Sequence, residues 1–412
     1  MAKKLRVGIL FGGRSGEHEV SLLSAASILK AIDRRKFEVV PIGINKAGHW
    51  LTSGAAQGLL EGSSATALGS DEQGQQKEVS PKAQKKLRAG DPAATPGARV
   101  LAEGKPALLA PEPAAAALIQ AKAAALDSHA ALGGQSLDVV FPVLHGTFGE
   151  DGTIQGLFEL AGMAYVGSGV LGSSAGMDKD VMKRLFANAR LPIVKDVTLL
   201  RAEWERAPGK AIAQVEAALA YPVFVKPANL GSSVGISKAH DRKELKTALN
   251  LAARYDRKLV VEQGVGGKKT KAREFEVAVL GNDDPKASVV GEIIPGKEFY
   301  DYEDKYLAEG ATAVIPARLT KAEATDIREM AIAAFRACDL AGLARVDFLM
   351  EPEGKRRIFL NEVNTMPGFT KISMYPKLWE ATGLSYKELI SRLIEQALER
   401  QAEKCRTVYT RE

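Results

Sequence analysis

Short apolar runs alternate along the chain with glycine-rich polar turns and amphipathic stretches. Leu5–Phe11 and Phe37–Ile44 have strand length and composition, and Val20–Ile32 between them has helical spacing. Leu137–Leu144 is a further apolar strand, followed by a helix over Thr153–Ala161 and a short strand over Ala164–Gly167. Gly172–Asn188 predicts a helix, and Tyr221–Val225, Lys258–Glu262 and Phe275–Leu280 predict strands. Lys321–Leu340 predicts an amphipathic helix with Ala324, Ile327, Ala331, Ala334 and Phe335 on one face. Arg345–Met350 and Arg357–Asn361 predict a hairpin around the turn Glu351-Pro352-Glu353-Gly354, and Ser385–Arg400 predicts a terminal helix. Strands that alternate with helices in this way predict an α/β fold.

The pattern lapses between Gly54 and about Gln135, where Ala, Gly, Ser, Pro, Lys and Gln dominate. Ala65–Gly104 is expected to be a mobile surface insertion, with a helix near Pro113–Ala125. A chain of 412 residues is expected to form two or three domains. No apolar run approaches the roughly 20 residues needed to span a bilayer, and the first residues lack a signal peptide's apolar region, so a cytoplasmic protein without membrane association is expected. Cys338 and Cys405 have no metal-ligand spacing and read as reduced thiols. The net charge of +6 is diffuse. Its one tight basic run, Lys268 to Arg273, has no interleaved aromatics, so nucleic acid is not an expected partner.

Acidic side chains interrupt the hairpin. Asp347 lies in its first strand, and Glu362 and Asn364 follow its second. If the strands pair, Asp347 can oppose Glu362, and residues two apart share a face. Two carboxylates and an amide oxygen form a hard donor set suited to Mg²⁺, which keeps waters and phosphate oxygens in its shell. Arg345 projects to the same side as Asp347, which suits stabilisation of charge on a transferring phosphoryl group. Lys226 stands at the end of its strand, just before the small, hydroxyl-bearing loop Ala228–Gly235, where its charge and the loop N–H groups can meet phosphates. Lys179 lies in the predicted 172–188 helix as a second phosphate ligand or as a solvated lysine. The glycine turn after Phe11 holds Glu17, which can meet an ammonium group or simply favour a helix N-terminus. His145, after the strand ending at Leu144, can bond a carboxylate, although a structural histidine is commoner. Phe299–Tyr306 has neither strand nor helix periodicity and reads as a closing lid.

Seven segments in this order resemble the ATP-grasp ligases and, among them, the D-alanine–D-alanine ligase family. They are FGGRSGEHEVSL at 11–22, HGTFGEDGTIQG at 145–156, MDKD at 177–180, VKPANLGSSVG at 225–235, FYDYEDKY at 299–306, RVDF at 345–348 and NEVNTMPGFT at 361–370. The resemblance covers nearly the whole chain outside the 54–135 insertion. It implies three α/β domains: an N-terminal open parallel sheet over 1–167, a central subdomain over 168–265 and a C-terminal subdomain over 266–412 that carries the metal site.

The resemblance also implies residue roles. Asp347, Glu362 and Asn364 bind two Mg²⁺ ions, with Mn²⁺ able to substitute. Lys179, Lys226, Ser233 and Lys305 contact ATP phosphates, Glu262, Gln263 and Val265 hold adenine, and Glu274 takes the ribose hydroxyls. Glu17 binds the first D-alanine and is linked through Ser232 to Tyr306, while His145 lies in the substrate region. Arg345 and the Gly368 N–H stabilise an oxyanion, and Ser373 and Met374 hold the second substrate's carboxylate. The implied reaction is ATP-dependent ligation of two D-alanines through a D-alanyl phosphate, for peptidoglycan, in a homodimeric cytoplasmic enzyme. Two rival readings stand beside it: a non-catalytic nucleic-acid-binding protein, and a ligase of other carboxylate and amine substrates.

Overall fold

The computed structural model describes residues 3–48, 50–52, 105–109, 118–120, 137–266, 270–294 and 312–411. The expected lid with Lys305 and Tyr306, and the expected insertion from Ala65 to Gly104, lie outside the described residues. The chain divides into two compact units, one comprising residues 1–144, 157–166 and 397–412 and the other residues 145–156 and 167–396.

The first unit is built on one sheet. β1 (Leu5–Gly12) leads into α1 (His18–Ala31) and β2 (Phe37–Ile44), and β3 (Trp50–Thr52), β4 (Lys105–Leu109), β5 (Leu118–Gln120) and β6 (Val139–Val143) complete the order β5-β4-β3-β2-β1-β6. β1 runs parallel to both β2 and β6. Its residues Val7, Ile9, Leu10 and Phe11 have no exposed surface, as expected for a central parallel strand covered on both faces. The expected parallel sheet is therefore present as a three-stranded core, extended on one side by antiparallel β3, β4 and β5. Leu118–Gln120 replaces part of the helix expected near Pro113–Ala125, because Leu118 and Ile119 pair with Leu109 and Leu108. A non-local partner of this kind overrides the local helix propensity of the residues it pairs. At the end of β1, Gly12 has φ +93°, and a Cβ there would lie 2.1 Å from the Ile44 carbonyl oxygen, so only glycine fits.

The second unit begins at the 145–156 loop, which enters α2 (Thr153–Leu160), a helix whose last turn is counted with the first unit. α3 (Val170–Met177) and α4 (Lys179–Asn188) follow, then β7 (Asp196–Leu200), α5 (Arg201–Arg206), α6 (Pro208–Ala218), β8 (Val223–Pro227), β9 (Ser237–Ala239), α7 (Arg242–Ala252) and β10 (Lys258–Gln263). The single helix expected over Gly172–Asn188 is two. Asp178 breaks it with an extended backbone, and its carboxylate accepts hydrogen bonds from the N–H groups of Asp180 and Val181, capping α4. The sheet order β7-β10-β8-β9 is antiparallel throughout. Val215, Leu245 and Leu249 pack against Leu199, Val225 and Val261 on one of its faces.

A second antiparallel sheet fills the rest of this unit. β11 (Arg273–Gly281), β12 (Lys286–Ile294) and β13 (Thr312–Val314) precede α8 (Lys321–Ala337), and β14 (Gly342–Met350) and β15 (Ile358–Asn364) precede α9 (Met374–Thr382) and α10 (Tyr386–Lys404). The order is β13-β12-β11-β14-β15. Phe275, Val277, Val346, Phe348 and Leu360 on one face bury against Ile327, Ala331 and Phe335 of α8 and Met182 and Phe186 of α4. α9 lies on the opposite face, where a Cβ on Gly291 would meet Met374 Cε at 2.6 Å and Leu378 Cδ2 at 2.8 Å.

Candidate active site

The expected hairpin forms as β14 and β15, and Asp347 stands directly opposite Glu362. β15 runs on through Asn364, so Glu362 and Asn364 lie within it rather than beyond it. The register slips between Asp347 and Phe348: Phe348 pairs with Leu360 and Asp347 with Glu362, leaving Asn361 as the extra residue of a bulge. The bulge resets the alternation. Leu360 faces the core, whereas Glu362, two residues on, faces the other side beside Asp347.

The same row continues onto β11, where Glu276 opposes Asp347. Three carboxylates therefore cross three adjacent strands at one level. Arg345 precedes Asp347 on the same face. Its Nε and Nη2 donate to the two Asp347 oxygens, both at 2.7 Å, and its Nε lies 3.3 Å from Glu276 Oε2.

Both candidate phosphate lysines converge on this face. Lys179 Nζ is 3.8 Å from Glu362 Oε2 and donates to the Leu230 carbonyl at 2.9 Å, at the start of the glycine-serine loop. Its place at the first position of α4 follows from the Asp178 cap, and Asp178 is itself held by Lys258 at 2.6 Å. Lys226, in β8, lies 2.6 Å from Glu262 and 3.4 Å from the Asn361 amide oxygen. Ser232 and Ser233 in the loop between have φ of +49° and +60°, a left-handed backbone that non-glycine residues adopt only where the surroundings impose it.

Glu262 is buried between two cations. Lys183, 2% exposed, lies 3.1 Å from one carboxylate oxygen, and Lys226 lies against the other. Burial alone would raise the Glu262 carboxyl, but the two lysines outweigh it and hold it at about 2. Burial alone would likewise depress the Lys226 ammonium, and Glu262 and Glu362 raise it instead. Gln263 uses its amide on the backbone of Ala220, donating to its carbonyl at 2.7 Å and accepting from its N–H at 2.8 Å. Val265 and Glu274 are half-buried, and Glu274 acts electrostatically on Lys226.

The 145–156 loop is pinned to the segment after β15. Glu150, 7% exposed, accepts from the Gly146 N–H at 2.6 Å and from the Met366 N–H at 2.9 Å. The His145 Nδ1 lies 2.8 Å from the Met366 carbonyl oxygen, which places the protonated nitrogen there. Gly368 is half-buried next to Phe369, and Ser373 opens α9, its hydroxyl accepting from the Thr370 N–H at 3.1 Å. Met374 is buried against Gly291. Glu17 belongs to the first unit, at the start of α1. Its N–H donates to the Ser15 hydroxyl, and Ser21 one turn on accepts from the Gly12 N–H and donates to the Val143 carbonyl.

Glu150, Lys183 and Glu276 were not singled out in the sequence as functional. Glu276 had a signal, since Glu274 and Glu276 alternate with Phe275 and Val277 and so share the face away from the core.

The family described as D-ala D-ala ligase N-terminus matches residues 6–168, and D-ala D-ala ligase C-terminus matches residues 185–395. The chain belongs to the D-alanine–D-alanine ligase family. Relatives named D-alanine–D-alanine ligase include those of Natranaerobius thermophilus, 46% identical over 98% of this chain and 98% of the relative, and Heliobacterium modesticaldum, 48% identical over 99% and 98%. Among solved structures, the D-alanine–D-alanine ligase of Coxiella burnetii matches with a TM-score of 0.76 and 33% identity, covering 98% of this chain and 97% of that one. The VanG D-Ala:D-Ser ligase of Enterococcus faecalis matches with a TM-score of 0.75 and 32% identity, covering 96% of this chain and 100% of that one. The fold is that of the ATP-grasp ligases, with its mixed α/β sheets. Among the described residues no helix is long and apolar enough to cross a membrane.

The oxygen set suits a hard cation. Among the described residues no three His, Cys, Asp or Glu side chains gather into a metal cage. The facing pair Asp347 and Glu362 with the amide of Asn364 matches instead an ion that completes its shell with phosphate oxygens and water.

Proposed function

We infer that the chain is an ATP-dependent D-alanine–D-alanine ligase that supplies D-alanyl-D-alanine for peptidoglycan, working through a D-alanyl phosphate. The observation that carries this reading is the facing pair Asp347 and Glu362, with Arg345, Lys179 and Lys226 around it. In the proposed sequence the first D-alanine's carboxylate oxygen takes the γ-phosphoryl group and ADP leaves. The neutral amine of the second D-alanine then attacks the carbonyl carbon, and the tetrahedral adduct expels inorganic phosphate as the peptide bond forms. Lys179 and Lys226 place the phosphates, with Ser233 and Lys305 completing their contacts. Arg345 and the Gly368 N–H stabilise the oxyanion. Asp347, Glu362 and Asn364 would hold Mg²⁺, which would supply positive charge against the transferring group; two such ions, and replacement by Mn²⁺, are part of the proposal.

For the substrates, Glu17 meets the first ammonium group and Ser373 and Met374 the second carboxylate, with His145 in the substrate region. A link from Glu17 through Ser232 to Tyr306 is the proposed means of holding the lid closed. With the Gln263 amide spent on Ala220, the main chain of Glu262–Val265 is the part that meets adenine, and Glu274 takes the ribose. The 168–265 and 266–412 sheets act as the two ATP-grasp subdomains after the 1–167 substrate domain. The enzyme is proposed as a cytoplasmic homodimer, checked by sedimentation and fractionation. The deciding experiment measures ADP release with D-alanine, L-alanine, D-serine and D-lactate. D-alanine-dependent release with dipeptide as product is expected, and release that any L-amino acid supports equally would end the reading.

A further inference from the structure

Arg345 occupies a position that the proposed metal chemistry cannot leave unchanged. Its guanidinium holds both oxygens of Asp347 at 2.7 Å, and Asp347 is a proposed metal ligand. A cation that takes those oxygens must take them from an arginine that cannot lose its own charge. On the far side of Asp347 from Glu362 stands Glu276, opposite Asp347 on β11 and 6% exposed. Its Oε2 is already 3.3 Å from Arg345 Nε. Diagonal neighbours on a sheet face are within reach of long side chains, so a small swing toward β11 transfers the guanidinium from one carboxylate to the other.

We propose that Glu276 is a positioning residue that receives Arg345 when Asp347 turns to the metal, keeping the guanidinium on the face where the transferring phosphoryl group sits. This rests on the reading of Asp347 as a metal ligand and adds a residue to it. The β14–β15 side of Asp347 is left to the metal oxygens, and the β11 side anchors the cation. Without Glu276, Arg345 has a reason to stay on Asp347 and compete with the metal for it.

The test reads Mn²⁺ binding to the nucleotide-free protein by water-proton relaxation, with Mn²⁺ alone as the probe, and so needs no turnover. Glu276→Gln is expected to weaken Mn²⁺ about fivefold, the coupling expected between side chains in contact, and Glu276→Asp to recover most of it. In an Arg345→Met background the same Glu276→Gln change is expected to alter Mn²⁺ affinity less than about twofold, because the competitor is gone. Thermal midpoints without metal report folding. Glu276→Met, similar in volume and free of a buried amide, replaces the Gln variant if that one folds poorly, with the same outcomes expected. Unchanged Mn²⁺ affinity in Glu276→Gln would overturn the proposal, as would an equal loss in both backgrounds, which would mean that Glu276 acts on the metal by its charge alone. Wild-type D-alanine-dependent ADP release, measured alongside, fails only if the ligase reading itself fails.

Discussion

Lys183 and Lys226 grip the same carboxylate, Glu262, from opposite sides, at 3.1 and 2.6 Å. Lys183 comes from α4 and Lys226 from β8, so Glu262 joins the helix that starts at Lys179 to the strand that ends at the glycine-serine loop. Removing it leaves two buried ammonium groups without their anion. Glu262→Ala is expected to cost about 3–5 kcal/mol, read from urea unfolding. A loss under about 1 kcal/mol would show that water or another acid replaces it.

The same carboxylate sets an acid limit on stability. Its folded value, about 2, lies below its ordinary 4.5, so its contribution is complete above 4.5 and drains away as pH falls toward 2. Wild-type unfolding free energy should therefore fall across that window. Glu262→Gln, which cannot titrate, should show a shallower fall over the same range, and parallel curves for the two proteins would refute the assignment.

Asp347→Ala is expected to abolish ligation, by about 10²–10³-fold or more, while the circular dichroism spectrum stays that of wild type. Its side chain is on the face away from the α8 core, so the fold does not depend on it. Ordinary turnover at ordinary Mg²⁺ would remove it from the site.

Asp178 does for Lys179 what a cap does for any helix, and also fixes where that lysine starts. Asp178→Ala is expected to lose about 1–2 kcal/mol of stability and to raise the KM for ATP several-fold. Asp178→Asn keeps the N–H acceptors and gives up only the charge pairing with Lys258, so its KM should stay nearer wild type. An alanine variant with normal KM would separate the cap from the phosphate contact.

The acceptor prediction comes from sequence. The proposed lid carries Lys305-Tyr306, whose phenol ring can help shut water out of the site. D-alanine is expected to be used over D-lactate at pH 7, and Tyr306→Phe to lower dipeptide yield per ATP hydrolysed by admitting water to the acyl phosphate. Equal ester and dipeptide production by wild type would contradict this.

The hairpin opposition of Asp347 and Glu362 was legible because the acids interrupt two apolar strands joined by an evident turn. Lys226 was legible because it sits where a strand gives way to glycine and serine. The split at Asp178 was not, since apolar residues on both sides share helical spacing and only the carboxylate's choice of the N–H groups of Asp180 and Val181 separates the helices. Lys183 and Glu276 read as an ordinary helical lysine and an ordinary outward strand residue. Their roles depend on strands and helices brought from elsewhere in the chain, which local spacing does not encode. β7 and α5, five and six residues long, leave too weak a period to be legible.

The register beyond Asn361 constrains how this stretch can change length over generations. Deleting Asn361 would only take out the bulge and leave Glu362 opposite Asp347 in a regular ladder, whereas one residue inserted after Glu362 would turn Asn364 to the side of Leu360 and bring Val363 out to the site face, scrambling the site with a single codon. The turn between Glu351 and Arg357 lies outside the paired register and carries no such parity. Insertions and deletions in descendants of this sequence should therefore accumulate in that turn and be purged between Glu362 and Asn364, even where each substituted side chain would be tolerated.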